Sequence, residues 1–496
     1  MSKSLIKLSV FERLKFLMKD SLIYGSAAAI SKAFGLISFP LIAKTLSVSD
    51  FGFYDYLISL VVFITLLIQF GQDSSIARFY YEYEDKEKRQ KFISQSLFFQ
   101  LFCFIIFLIV IFTSSEYIEK YILLEKGYDN VLLLLAINIP FQLLISFSQN
   151  ILRWSFKRNE FLFMSLAYTF FQTLLIVLLI VYDFMSVINL FSVYIICNII
   201  FASFGLFFIR KYIVIIYDYK GFKEILFFAL PYGLISLLTA LSSTLERNLT
   251  HNFLGENALG FYAAAFKIAI LISLIVNAFH TAWGPFSLSL YKDKNVIKTY
   301  NLVLKGFTLI ILISNLLLTI VSPIIIKILA TQKYLSVVNL VFPLALAVGI
   351  RGISWITEIG ITISKKSYLS IISHSVQFFS TIILIILFSN NFGLIGVAIS
   401  VLVGQILRSV IESYCAQKVY PMNWDYNPVI KLLFITILIG IFSEIVRDFF
   451  GNLLSNFSYF IGIILLIYFS KNNLFSLSER EKIIINVNQL LNKISK

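Results

Sequence analysis

The sequence predicts an all-α polytopic membrane protein of about fourteen transmembrane helices, built as two six-helix parallel repeats plus an extra C-terminal pair. Three observations lead there. Hydrophobic residues make up 59% of the 496 and charged residues 14%, with a mean hydropathy of +0.87; a soluble chain of this length carries roughly a quarter charged residues. Apolar runs long enough to cross a bilayer at about 1.5 Å per residue recur along almost the whole chain. A short turn, Leu46-Ser47-Val48-Ser49-Asp50-Phe51-Gly52-Phe53-Tyr54, returns as Leu254-Gly255-Glu256-Asn257-Ala258-Leu259-Gly260-Phe261-Tyr262, with Leu, Gly, Phe and Tyr at the same offsets.

Residues 1–20 read as a basic amphipathic segment. Lys3, Lys7, Arg13, Lys15 and Lys19 suit anionic headgroups while Leu5, Leu8, Phe11 and Leu14 suit the acyl boundary. Lys19 and Asp20 interrupt the stretch before Ala27-Ala28-Ala29, so a cleaved signal peptide is not expected. The spans follow at 21–44, 52–71, 91–113, 130–152, 161–182 and 186–209, which form a first half over 21–215. The second half, 220–417, holds 223–245, 258–283, 303–327, 336–362, 368–389 and 392–415. An extra pair, 428–448 and 452–470, occupies 425–470. The spans are helices because lipid offers no partner to an open backbone. Pro40, Pro140 and Pro231 lie inside spans as candidate kinks. In the cytoplasmic tail, 471–496, Ser478 and Glu481 form a capping box ahead of a short amphipathic helix.

The net charge of +14 does not imply nucleic acid, because Lys and Arg gather in loops on one side of the predicted spans. Arg78, Lys86, Lys88, Arg89, Arg153, Lys157, Arg210 and Lys211 fall there with the basic N-terminus and tail, which places both termini in the cytoplasm. The repeat pairs the first span with the seventh and the second with the eighth. An even number of helices per half makes the repeats parallel, and in such a carrier the substrate site lies between the halves near the midplane.

Charges inside spans are costly and mark function by default. Lys32, Arg247, Lys267 and Arg351 are the candidate substrate-binding cations, and their surplus positive charge suits an anionic substrate that Arg grips with a bidentate fork. Structural alternatives stand beside this: Arg247 pairing with Glu246 or snorkelling, and Arg351 pairing with Glu358. Asp55 and Glu358 are candidates for ion coupling, since an acid at low dielectric can exchange a proton, with a plain salt bridge as the alternative. Arg408 and Glu412 have the i,i+4 spacing of such a bridge. Cys103, Cys197 and Cys415, like His251, His280 and His374, are scattered at no metal-ligand or redox spacing, so neither metal nor cofactor is expected. No P-loop and no nucleophile–base arrangement is present, which points to secondary transport and away from an enzyme.

The opening SLIYGSAAAISKAFGLISFPLIAKTLSVSDFGFYDYLIS resembles the first two helices of bacterial polysaccharide or O-antigen flippases (Wzx-type). Residues 224–270, which begin EILFFALPYGLISLLTALSSTLERNLT, resemble the start of that family's second half. The resemblance implies a MATE-like fold of the multidrug/oligosaccharidyl-lipid/polysaccharide exporter superfamily. It implies a polyprenyl-pyrophosphate-linked oligosaccharide flipped from the cytoplasmic to the outer leaflet of the bacterial inner membrane by alternating access, for O-antigen, capsule or exopolysaccharide. In relatives a cationic cavity receives the headgroup, and the last helix pair can form a groove for the lipid tail. Implied partners are the glycan-lipid, the bilayer and other polysaccharide-assembly membrane proteins. A cation-coupled multidrug exporter of the same fold, a membrane glycosyl transferase or polymerase, and a scaffold for glycan assembly are the competing readings.

Overall fold

A computed structural model describes residues 34–35, 37–82, 85–115, 117–118, 131–214, 219–290, 296–329 and 332–473. Among them the chain is helical, without a strand. The basic N-terminal segment, Lys32, most of the first expected span and the tail with its capping box lie outside the described residues.

The helices are α1 (Val48–Gln69), α2 (Gln72–Glu82), α3 (Lys86–Thr113), α4 (Val131–Trp154), α5 (Arg158–Val181) and α6 (Val187–Ile209). They continue as α7 (Tyr219–Leu254), α8 (Glu256–Ala269), α9 (Ile272–Leu290), α10 (Val296–Leu329), α11 (Val338–Thr357), α12 (Ile359–Ile363), α13 (Leu369–Val419) and α14 (Tyr426–Asn473). Ten helices among the described residues are long and apolar enough to cross a membrane, and the pair α8–α9, bent by 46°, makes an eleventh. Apolar side chains such as Phe102, Ile105, Ile109 and Phe112 on α3 stand exposed in a row that only lipid would cover. The chain is a multi-pass membrane protein.

α13 and α14 are each two helices joined at one glycine. Gly393 (φ 58°, ψ −140°) and Gly451 (φ 81°, ψ 179°) hold backbone angles that a residue with a Cβ rarely adopts. The chain reverses at both. A Cβ on Gly396 would lie 2.4 Å from the Phe388 carbonyl oxygen. In α14, Ser458 Oγ donates to Ser443 Oγ at 2.7 Å and Tyr459 OH to Glu444 at 2.6 Å, a pairing centred on Gly451. Each element is therefore two helical arms, divided close to the expected breaks.

Three expectations are corrected. The polar stretch after the second span is not a loop: the chain breaks at Phe70–Gly71, both with positive φ, and continues as α2, anchored by Ser75 donating to the Ile225 carbonyl at 2.9 Å. The expected span 258–283 is broken between Ala269 and Ile272, and the span 336–362 is broken at Glu358, which ends α11. Pro140 and Pro231 sit inside helices that run on past them, so the breaks fall at other residues; neighbouring helices, hydroxyl side chains and local backbone adjustment re-satisfy the groups that a proline frees in a membrane helix.

By packing, the chain divides into two units: residues 1–264 with 328–333 and 381–397, and residues 265–327 with 334–380 and 398–496. In the first, α6 lies along α4, and α7 lies along α1 and α2. The two copies of the repeated turn also meet there. Ser47 caps α1 and Gly255 precedes α8, and corresponding glycines pack backbone to backbone. A Cβ on Gly52 would stand 2.4 Å from Gly260 N, and one on Gly260 1.9 Å from Val48 O. Small residues allow such approach where no hydrophobic force separates helix from lipid. In the second unit α9 packs along α11.

Candidate functional site

Asp55 lies two turns into α1, and Arg247 near the end of α7. They are 192 residues apart in sequence, and Arg247 Nε donates to Asp55 Oδ2 at 2.6 Å with side chains only 6% and 3% exposed. Arg247 Nη1 also donates to the carbonyl and hydroxyl of Ser243, at 2.9 and 2.7 Å. Next to it Glu246 accepts from Ser242 Oγ and from Tyr262 OH, both at 3.0 Å. Tyr262 belongs to the repeated turn, and its counterpart Tyr54 hydrogen-bonds Tyr194 on α6. Asn248 donates to Tyr56 OH at 3.2 Å and Thr244 to the Ser59 carbonyl at 3.1 Å. These bonds join α1, α7 and α8 into a buried, hydrogen-bonded polar network. The expected alternative, Arg247 paired with Glu246, is not the direct pair formed: adjacent residues on a helix do not face each other.

The second unit treats its arginine differently. Arg351 is the one exposed residue of α11, two turns before the break at Glu358. Its guanidinium stands 6.0 Å from the centroid of the Trp355 ring, which in turn lies against His280 at 3.9 Å between centroids. Trp283 Nε1 donates to the Trp355 carbonyl at 3.2 Å. Beyond the break, Arg408 Nε pairs with Glu412 Oε2 at 3.2 Å, both buried, as the i,i+4 spacing predicted. Thr357, beside Glu358 at the break, shares a hydrogen bond with Ser413 of α13 at 2.6 Å. α11 ends at Thr357, so Arg351 and Glu358 do not lie along one continuous helix, and no ion pair between them is formed among the described residues.

The structure thus brings Asp55 and Arg247 together in the first unit, and Arg351 and Glu358 into one neighbourhood in the second. Lys267 is half-buried in the last turn of α8, within the second unit. Residues that the sequence reading did not assign to the site are Tyr262, which bonds Glu246, Tyr54 with Tyr194, and Trp355 against His280. Only the repeated turn pointed toward the two tyrosines. Among the described residues no group of three or more His, Cys, Asp or Glu is arranged to hold a metal ion.

A cavity of about 420 Å³ also lies in the second unit. Leu304 of α10, Ile350, Ile353 and Ser354 of α11, Ile406, Val410 and Tyr414 of α13, and Val429, Ile430 and Leu433 of α14 line it. Its walls are almost wholly apolar, which suits hydrocarbon and offers little to a sugar.

The model of a family described as "Polysaccharide biosynthesis protein" matches residues 17–290, more than half of the chain. No curated protein matches the sequence. Among solved structures, a lipid II flippase MurJ in an inward closed conformation is similar with a TM-score of 0.67 at 17% identity, over 91% of this chain and 99% of that one. An inward-facing multidrug resistance MATE family transporter of the MOP superfamily gives 0.59 at 15% identity, over 78% and 94%. A MOP superfamily transporter from Pyrococcus furiosus, for which reverse polarity of the binding pocket suggests a different function, gives 0.56 at 16% identity, over 81% and 94%. At these identities the likeness shows the fold: the chain has the helical architecture of that superfamily, as the resemblance of its first helices implied.

Proposed function

The chain belongs to the polysaccharide biosynthesis protein family, and from that membership we propose that it is a flippase for a polyprenyl-pyrophosphate-linked oligosaccharide. It moves its substrate from the cytoplasmic to the outer leaflet by alternating access, for surface polysaccharide assembly. The observation that carries the reading is Arg351, held exposed on a helix whose other side chains are covered. A cation kept open at such cost is suited to an anionic headgroup, and its guanidinium to a pyrophosphate. Lys32, Lys267 and Arg247 are the further cations proposed to meet substrate, Arg247 after exchanging its partner Asp55. Trp355 and His280, close together beside Arg351, offer aromatic faces to sugar rings. The apolar cavity of the second unit suits part of the polyprenyl tail.

Both termini face the cytoplasm and the protein works in the bacterial inner membrane, alongside other polysaccharide-assembly membrane proteins. Asp55 and Glu358 are the proposed ion-coupling acids. The MATE neighbours support a second reading, a cation-coupled drug exporter. A cavity for organic cations calls for open acids, and here Asp55 and Glu412 are covered by arginines while Arg351 stands open.

The test is complementation of a flippase-deficient bacterium with surface glycan as readout. The intact protein restores glycan, and Arg351→Ala at matched membrane levels does not. Restoration by both would remove Arg351 from the site. A deletion strain of the native host that accumulates no lipid-linked oligosaccharide in its inner leaflet would overturn the flippase reading.

A further inference from the structure

The apolar cavity of the second unit has one polar end, which the flipping mechanism above does not use. Leu304, Ile350, Ile353 and Val429 form its buried apolar wall. Where α13 ends and α14 begins, Gln417 and Tyr426 complete the lining. Gln417 Oε1 accepts from Met422 N at 2.8 Å, which fixes the amide and leaves its nitrogen as the open end. Gln417 Nε2 and Tyr426 OH are both buried without a hydrogen-bond partner. Each carries a hydrogen to donate, so one ligand that meets both brings acceptor oxygens to this end of an otherwise apolar space.

The cavity is open on one side. Val410 and Tyr414 of α13 and Ile430 of α14 line it and are exposed. On membrane-crossing helices an exposed apolar row faces hydrocarbon, so the opening leads into the bilayer. Cations flank it. Lys418 follows Val410 and Tyr414 at the same four-residue spacing and is exposed on the same face of α13. Lys431, also exposed, follows Ile430 on α14. The acid beside Tyr426, Asp425, already has a cation of its own, Lys305 Nζ at 2.6 Å. Asn301 Oδ1 accepts from Asp425 N at 2.8 Å and holds this connection on α10. The polar end therefore combines unmet donors with uncancelled positive charge.

We infer that the cavity is a binding site for an anionic phospholipid of the surrounding bilayer. One acyl chain enters sideways past Val410, Tyr414 and Ile430 and lies along the buried wall. The phosphate oxygens accept from Gln417 Nε2 and Tyr426 OH, and Lys418 and Lys431 balance the charge at headgroup depth. A space of about 420 Å³ is within the range of small-molecule sites and takes part of one chain. The bound lipid joins α13 and α14 to α10 and α11. It also holds the place proposed for the polyprenyl tail, so the two compete. That competition rests on the flippase reading; the site itself does not.

The test is photocrosslinking of the full chain in nanodiscs of zwitterionic lipid. Three probes are compared at the same trace fraction, each with a diazirine within its hydrocarbon chain: phosphatidylglycerol, phosphatidylcholine and a polyprenyl phosphate. The labelled residues are read by peptide mass spectrometry. The expected result is phosphatidylglycerol adducts on Leu304, Ile350, Ile353 or Val429, which lipid lying on the outer surface does not reach, and several-fold fewer from phosphatidylcholine. This arm uses the wild-type chain. Lys418→Gln and Lys431→Gln, both at exposed positions, each lower phosphatidylglycerol labelling of the buried wall by roughly fivefold, the effect of one lysine at an anionic headgroup. Adducts confined to exposed residues, equal labelling by phosphatidylcholine, or labelling unchanged in both lysine variants would overturn the proposal. So would labelling of the buried wall by the polyprenyl probe alone, which would leave the cavity to the substrate tail. No glycan is involved, so this result and the complementation result fail separately.

Discussion

In the first unit Arg247 is enclosed, and its donors are directed at Asp55 and Ser243. In the second, Arg351 is the exposed residue of an enclosed helix. Both are arginines on membrane-crossing helices. The first unit also has two acids, Asp55 and Glu246, in separate bonds, each with its own donor. In the second, the buried acid Glu412 is bonded to Arg408 one turn away on its own helix. The difference teaches that residue type alone does not assign a role in the membrane. A charge whose donors meet a buried carboxylate holds helices together, and a charge left open is available for a ligand.

The comparison is broken most sharply at Arg247. Arg247→Ala leaves Asp55 buried without a cation and is expected to cost about 3–5 kcal/mol, while replacing both, as Asp55→Leu with Arg247→Met, recovers most of it; chemical denaturation in detergent reads both. Gly260→Ala comes next. Its Cβ would meet the Val48 carbonyl oxygen at 1.9 Å, and overpacking against backbone is expected to cost about 3 kcal/mol, read as a lowered unfolding midpoint. Tyr262→Phe removes the hydroxyl that bonds Glu246 and is expected to cost about 1.5–3 kcal/mol, measured the same way. Arg351→Ala stands at the other end: stability within about 0.5 kcal/mol of wild type, with loss of surface glycan. A melting loss for Arg351→Ala as large as that for Arg247→Ala would erase the contrast.

What was legible followed from local chemistry. Apolar length marks the spans, and the Arg408–Glu412 bridge follows from helical spacing. Gly451 stands between two apolar arms, so the last hairpin could be placed to within a few residues. What was not legible depended on distance or on exceptions to helical continuity. Asp55 and Arg247 lie 192 residues apart, and nothing in either stretch names the other. Glu358 looked like a residue inside a continuous helix, and the break there has neither Pro nor Gly at its centre to announce it. The helix α2 was hidden by its charge, because a polar stretch between spans reads as loop until Ser75 and the Ile225 carbonyl are seen to join it to α7.

The hairpin at Gly451 also bears on how the chain is made. Its arms are joined through a single residue of non-helical backbone, with no polar loop to wait in water while one arm settles. A ribosome that has delivered the first arm has delivered the turn with it, and the open backbone groups there are tolerated only once the second arm is alongside. The two arms are therefore expected to leave the translocon together, as one hairpin. Stalling synthesis between them would strand the first arm, and lengthening the connection with a few polar residues would let them insert in turn.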